Sequence, residues 1–431
     1  MYSMRLFLKS FLMFFIISCQ SNFPAQEVLH PILKEKVEDT ISKSIHQQSK
    51  ELIVGAEQLD KLKILLGSKK VGIVGNQTSR VGDTHLVDTL ISSGINLVKV
   101  YSPEHGFRGD ADAGEHVASN KDPKTGLTIV SIYGDNKKPS AAQLEGIEVL
   151  VFDLQDVGAR FYTYISTLHY IMEAAAENNI EVVVLDRPNP NGHYVDGPIR
   201  KKGYESFVGM HPIPIVHGMT VGEIAQMING EKWLKNEVQA KLTVIPVQNY
   251  NRNMPYSLPV SPSPNLRSDA AIQLYPGLCL FEGTSLSVGR GTEHPFEVYG
   301  HPDLKGKPGF EYSFTPISSF GAKNPKHQDK VCYGENLHDY GDPDKYGTGN
   351  GKVNKLEIQW LIKAYKALGS ADFFITKNRW FDILAGTDEL RKDIVAGKSE
   401  EEIREGWKVG LEEFMEMRRG YLIYGGGINY E

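Results

Sequence analysis

Five short apolar runs between residues 71 and 190 each end in a polar cluster, and this repetition constrains the fold more than any other feature of the chain. Val71-Gly72-Ile73-Val74-Gly75 leads into Asn76-Gln77-Thr78-Ser79, and Leu97-Val98-Lys99-Val100-Tyr101 into Ser102-Pro103-Glu104-His105-Gly106. The run 127–132 leads into Tyr133-Gly134-Asp135, 149–152 into Asp153-Leu154-Gln155-Asp156-Val157-Gly158, and 182–185 into Asp186-Arg187-Pro188-Asn189-Pro190. Near-continuous β-branched and aliphatic runs are what a strand covered on both faces requires. Helical stretches lie between several of them, clearest over 162–179, where Ile165, Leu168, Ile171 and Met172 share one side. Strands alternating with helices predict an α/β chain with a parallel sheet and right-handed crossovers. In such open sheets the ligand crevice lies beyond the carboxyl ends of the strands, where each of these clusters sits. A single cluster reads equally well as a turn, because Asn, Asp, Pro and Gly are turn residues. Five in succession, carrying acids, amides and Arg, point to a site.

That sheet resembles a Rossmann arrangement, but its first strand lacks the G-x-G-x-x-G phosphate cradle. Gly289-Arg290-Gly291 is a lone fragment elsewhere, and no Walker A lysine motif occurs. No nucleotide cofactor is expected. With 41% hydrophobic residues the chain has ample core material, which excludes wholesale disorder. A formal net charge of -6 argues against a nucleic-acid coat, which needs a basic face.

The first residues read as a targeting segment. Arg5 and Lys9 precede an apolar run, Phe11 to Ile17, that ends at Ser18-Cys19. The run is too short to span a bilayer, for which about 20 residues are needed, and it has the charged start and apolar middle of a secretory signal peptide. Aliphatic residues and a small one immediately before a Cys look like a bacterial lipobox, with Cys19 as the lipid-bearing residue. The expected location is therefore the bacterial cell envelope, lipid-anchored and facing the periplasm. Residues 20–49 are polar and read as a tether. Cys279 sits in an apolar run and reads as a buried free thiol, with Cys332 as a possible oxidised partner.

Beyond residue 197 the pattern changes. A Pro-punctuated extended segment, 207–219, precedes Thr220, an N-cap whose capping box is completed by Glu223; its helix is expected to stop near Asn229-Gly230. A strand is expected over 242–247, followed by a loop rich in Pro, Ser and Asn over 249–267 that marks a domain boundary. Further on come a stretch over 270–282 broken at Tyr275-Pro276-Gly277, an amphipathic segment over 403–417 with Trp407, Leu411 and Phe414 at helical spacing, and a closing strand, Tyr421 to Tyr424. The organisation expected is a signal peptide over 1–18, a tether over 19–50, a sheet domain over 51–262 and a smaller C-terminal domain over 263–431.

Three Glu-His dipeptides, Glu104-His105, Glu115-His116 and Glu293-His294, invite a metal reading, with His211 and His217 as further ligands. No H-x-x-x-H helix or C-x-x-C pair supports it, and no metal is expected. A serine hydrolase is equally unsupported, because the G-x-S-x-G elbow is missing. What remains is a surplus of loop carboxylates: Glu104, Asp110, Asp112, Glu115, Asp153, Asp156, Asp186, Glu282 and Glu293. Paired carboxylates suit glycoside cleavage, one protonating the leaving oxygen while the other acts as base or nucleophile. Tyr133, Tyr162, Tyr164, Tyr275 and Tyr299 are candidates for stacking on sugar rings.

These residues carry a resemblance. Ser-Pro-Glu-His-Gly-Phe-Arg-Gly (102–109), Phe-Asp-Leu-Gln-Asp-Val-Gly-Ala-Arg-Phe-Tyr-Thr-Tyr (152–164), Leu-Asp-Arg-Pro-Asn-Pro (185–190), Ser-Pro-Asn-Leu (263–266), Phe-Glu-Gly-Thr (281–284) and Gly-Arg-Gly-Thr (289–292) are similar to motifs of the NamZ-type exo-β-N-acetylmuramidase family. The resemblance covers nearly everything from about residue 52 onward. It implies a Rossmann-like domain followed by a smaller α+β C-terminal domain, with the active site in the cleft between them, and release of N-acetylmuramic acid from non-reducing ends of peptidoglycan fragments. Glu104 is the leading catalytic carboxylate, with His105 tuning it, Asp153 or Asp156 in its network, and Glu282 or Glu293 opposite. The muramic acid lactyl carboxylate calls for cations, for which Arg108, Arg160 and Arg290 suit bidentate binding; Asn76 and Asn265 are candidates for the acetamido group. A non-catalytic lipoprotein that binds peptidoglycan fragments, or an esterase or amidase of the same polymer, remains the alternative.

Overall fold

Each apolar run of the N-terminal half becomes a strand whose alternate residues enter different cores. The structure is a computed structural model and describes residues 51–104, 106–108, 120–342, 353–369 and 372–425. Its central sheet contains β1 (Val71–Gly75), β4 (Leu97–Ser102), β5 (Asn120–Lys121), β6 (Thr128–Ser131), β7 (Val149–Asp153), β8 (Glu181–Leu185) and β9 (Lys241–Ile245), in the order β5-β6-β4-β1-β7-β8-β9. All pairs are parallel except the edge pair β5–β6. A small hairpin of β2 (Arg80–Val81) and β3 (Thr84–His85) follows β1.

Because side chains alternate across a strand, Val149 and Val151 enter one apolar cluster, while Leu150 and Phe152 enter another. Val182 and Val184 part from Val183 and Leu185 in the same way. The helices Leu59–Leu66 and Leu86–Ser92 cover the first face through Leu62, Leu66 and Leu90. The helices Tyr164–Glu177 and Val221–Gly230 cover the second through Leu168, Ile171, Ile224 and Met227. The capping box at Thr220 is formed, with Glu223 N–H donating to Thr220 Oγ1 at 3.3 Å and Thr220 N–H to Glu223 Oε2 at 3.0 Å.

The C-terminal half adds a small sheet, β10 (Val298–His301), β12 (Cys332–Asn336) and β11 (Tyr312–Phe314) in that order, amid short helices. The second apolar cluster runs on from Val74 to Phe414, and the described residues from Leu52 onward belong to one compact unit.

Three local expectations change. The helix Asp269–Leu278 continues through Pro276 and only then tightens into the 3-10 turn Cys279–Gly283. The amphipathic stretch near the C-terminus divides at Gly406-Trp407 into helices Glu400–Glu405 and Lys408–Arg419. Tyr421–Tyr424 is not a strand, because its backbone is claimed elsewhere: the N–H groups of Ile423 and Tyr424 donate to Glu223 Oε1, at 2.8 and 3.3 Å. Cys279 and Cys332 are both buried free thiols; Cys19 lies outside the described residues.

Candidate active site

Beyond the ends of β4, β6 and β7 the chain encloses a cavity of 640 Å³, whose lining includes Glu104, Tyr133, Tyr162, Thr163, Tyr164, Tyr275, Glu282, Arg290, Phe296 and Trp380. Glu104 follows β4 after Pro103, and two hydroxyls aim its carboxylate. Tyr133, two residues past β6, donates to Oε1 at 2.9 Å, and Thr163, the N-cap residue of helix Tyr164–Glu177, to Oε2 at 3.3 Å. Phe161, Tyr162, Tyr164, Tyr275 and Phe296 meet edge to face, with centroids 4.9–5.9 Å apart, and form an aromatic wall. Burial raises the hydroxyl pKa values of Tyr162 and Tyr164, so both remain protonated donors. Tyr162 donates to the Pro262 carbonyl at 2.8 Å, and Asn76 Nδ2 donates to Tyr164 Oη at 2.6 Å.

The opposite wall comes from the C-terminal half. Arg290 Nε donates to Glu282 Oε1 at 2.6 Å, and the guanidinium carbon lies 4.9 Å from the Phe296 ring centre. Burial opposes the Arg290 charge, but Glu282 beside it outweighs burial and holds its pKa above the ordinary value. The Nη groups of Arg290 have no hydrogen-bond partner among the described residues. Behind this pair, Lys326 Nζ donates to the carbonyls of Phe281, Glu282 and Thr284, at 3.2, 3.0 and 2.6 Å, and so clamps the turn that presents Glu282. Burial pulls the Lys326 pKa down to about 8, with Glu282 opposing.

Of the residues singled out in the sequence, Glu104, Tyr133, Tyr162, Tyr164, Tyr275, Glu282 and Arg290 therefore meet at one cavity. Others are used to hold the fold. Asp153, expected in the catalytic network, is fully buried at the end of β7; Arg187 occupies both its oxygens, at 2.7 and 3.0 Å. Arg160, expected to bind a carboxylate, is fully buried, and its Nη groups donate to the carbonyls of Pro198, Ile213, Leu384 and Ala385 at 2.7–3.1 Å. Arg108 forms a bidentate pair with Asp122, at 2.9 and 2.8 Å, and reaches Asp88 at 3.4 Å.

Asp156 folds back onto the Gly158 N–H at 2.7 Å, in a turn that only glycine fits: φ is +78°, and a Cβ there would sit 2.2 Å from Asn189 Oδ1. Burial pushes the Asp156 carboxyl up to about 7, with the backbone N–H groups of Gly158 and Val157 offsetting only part. Asn76 also accepts from Thr78 N and Oγ1, which uses up its amide oxygen, and Asn265 is buried with its Nδ2 on the Gly321 carbonyl at 2.7 Å. Glu293 is exposed and does not line the cavity. His105, Asp110, Asp112, Glu115 and His116 lie outside the described residues. Thr163, Lys326 and Trp380 were not legible as site residues. Thr163 is flanked by two tyrosines that draw attention first, and Lys326 and Trp380 lie in polar stretches without a motif.

Two family models, the N-terminal and C-terminal parts of the exo-β-N-acetylmuramidase NamZ, match residues 71–270 and 273–424. The chain is 40% identical over 380 residues to a peptidoglycan β-N-acetylmuramidase of Bacillus subtilis, covering 83% of this chain and 88% of that protein. It also superposes on crystal structures of two DUF1343 family proteins from Bacteroides fragilis. One has a TM-score of 0.79 and 45% identity over 88% of this chain and all of the other; the second has 0.72 and 28% over 87% and 99%. The chain belongs to the NamZ exo-β-N-acetylmuramidase family.

Proposed function

We propose that this chain is an exo-acting glycoside hydrolase that releases N-acetylmuramic acid from the non-reducing ends of peptidoglycan fragments. The observation that carries the reading is a carboxylate, Glu104, aimed by the Tyr133 and Thr163 hydroxyls into a cavity whose far wall bears the Glu282–Arg290 pair. Cleavage of a glycosidic bond needs a proton for the leaving oxygen and a base or nucleophile for the anomeric side. Glu104 serves at that bond, and Glu282 is the carboxylate available across the cavity. Arg290 keeps its Nε on Glu282, so its Nη donors are oriented for the lactyl carboxylate of muramic acid in the bidentate manner that guanidinium favours. The aromatic wall offers apolar surface to the sugar ring.

The test is turnover of a chromogenic β-N-acetylmuramide by the purified chain. Release of the chromophore together with free N-acetylmuramic acid is expected; binding of the sugar without release would sink the hydrolase and leave a fragment-binding protein. The same reading makes the chain a lipid-anchored envelope protein facing the periplasm, supported by Arg5, Lys9, the apolar run and Cys19. Replacing Cys19 by Ala should then move the chain from the membrane fraction to the soluble one.

A further inference from the structure

The loop that brings Arg290 to the cavity continues into His294-Pro295-Phe296-Glu297, and Glu297 is a buried carboxylate in an unusual setting. Its side chain is 5% exposed, yet among the described residues it meets no Lys or Arg. Its partners are His338 Nδ1 at 2.5 Å, His294 Nδ1 at 3.5 Å and the Ser268 hydroxyl. One ligand atom from each of His294, Glu297 and His338 lies within 4.8 Å of the others. A buried carboxylate needs a compensating charge, and here only imidazoles and a hydroxyl face it.

We propose that His294, Glu297 and His338 form a three-ligand site for a borderline-soft divalent cation of the zinc type. Two imidazoles and one carboxylate are a donor set that zinc favours, whereas magnesium and calcium prefer all-oxygen shells. Zinc holds such atoms at about 2.0–2.2 Å, so neighbouring ligands in a tetrahedron stand roughly 3.4 Å apart. The spacings to Glu297, 2.5 Å from His338 and 3.5 Å from His294, straddle that value, and the adjustment falls on the two partly exposed imidazoles. The His294 and His338 side chains are 43% and 41% exposed, while Glu297 is buried and anchored by Ser268. The fourth position is left for water.

Ser268 also accepts the Ala271 N–H at 3.0 Å, as the N-cap of the helix that carries Tyr275. His338 opens the short helix that follows β12. The cation would therefore join the Arg290 loop to two neighbouring segments and stiffen one wall of the cavity. Sequence spacing alone hides the site, because the third ligand comes 41 residues after Glu297.

The test is zinc content and unfolding midpoint of the full chain, stripped with chelator and dialysed against zinc or magnesium. One equivalent of zinc per chain is expected, with a higher midpoint in zinc than in magnesium, because a ligand that binds only the folded state stabilises it. A His294→Gln/His338→Gln chain should hold no zinc and should keep the metal-free midpoint, which shows that it folds. A His301→Gln/His327→Gln chain, altered at a second imidazole pair with centroids 4.5 Å apart, should bind as before. No zinc above buffer in the unaltered chain would overturn the proposal. So would zinc retained by the first variant, or zinc lost from the second.

Discussion

The polar clusters at the ends of β7 and β8 and those at the ends of β4 and β6 look alike in sequence and do opposite work. Past β7 and β8 the charges turn inward. Asp153 pairs with Arg187, and Asp186 accepts from Thr220, Gly222 and the Tyr424 hydroxyl at 2.6–2.8 Å. Past β4 and β6, Glu104 and Tyr133 meet in an open cavity. The difference lies in what covers each strand end. The segment ending in Tyr424 reaches the end of β8 and takes up the hydrogen-bonding capacity of Asp186, whereas Glu104 lines the cavity. A polar strand end therefore marks a place where chemistry is possible, and the covering segment decides whether it is used for catalysis or for cohesion.

The largest effect that can break this comparison is on stability. Arg187→Ala leaves the Asp153 carboxylate buried and unpaired, and should cost about 3–5 kcal/mol in denaturant unfolding; a loss below about 1 kcal/mol would mean that the pair does not hold the strand end. Glu104→Gln should do the reverse, with an unchanged unfolding midpoint and turnover lowered by about 10²–10⁴-fold. Full activity in that variant would move the chemistry to the opposite wall.

Asp156 sharpens the inward side through pH. Its folded carboxyl lies near 7, above the ordinary value of 3.8, so the folded chain keeps a proton that the unfolded chain gives up. That contribution is complete below about pH 4 and is lost as pH rises toward 7, with a size on the order of a few kcal/mol. Asp156→Asn should flatten this slope when unfolding free energies at pH 5 and pH 8 are compared; an unchanged slope would assign it to another group. The smallest effect belongs to Arg290→Lys, which keeps the charge and loses the planar fork. KM for the muramide should rise about tenfold with kcat nearly unchanged, equivalent to about 1.4 kcal/mol of binding.

Much of the sheet was legible because its signal is local. Runs such as Val149–Phe152 have the composition of strands buried on both faces, and Thr220 with Glu223 announces a helix start within four residues. Glu104 was legible as well, since its cluster ends a strand at the crevice an open α/β sheet provides. Which of the three candidate arginines lines the cavity was not. Arg160 lies in the same motif as the cavity tyrosines, yet it reaches carbonyls up to 225 residues away, while Arg290 emerges from a fragment with a single glycine on either side. The closing Tyr421–Tyr424 reads as a strand by composition and was claimed instead by Glu223.

The sequence by itself determined the alternation of strands and helices, the two-faced burial of the sheet and the caps that start its helices. These depend on side-chain period and on neighbours within about four residues. Only the tertiary structure decided which polar residue faces the cavity and which is buried as a brace. That choice rests on partners far along the chain, from Thr163 on Glu104, 59 residues apart, to Tyr424 on Asp186, 238 residues apart. A buried charge must find its partner wherever the fold supplies one, and no local pattern records where that will be.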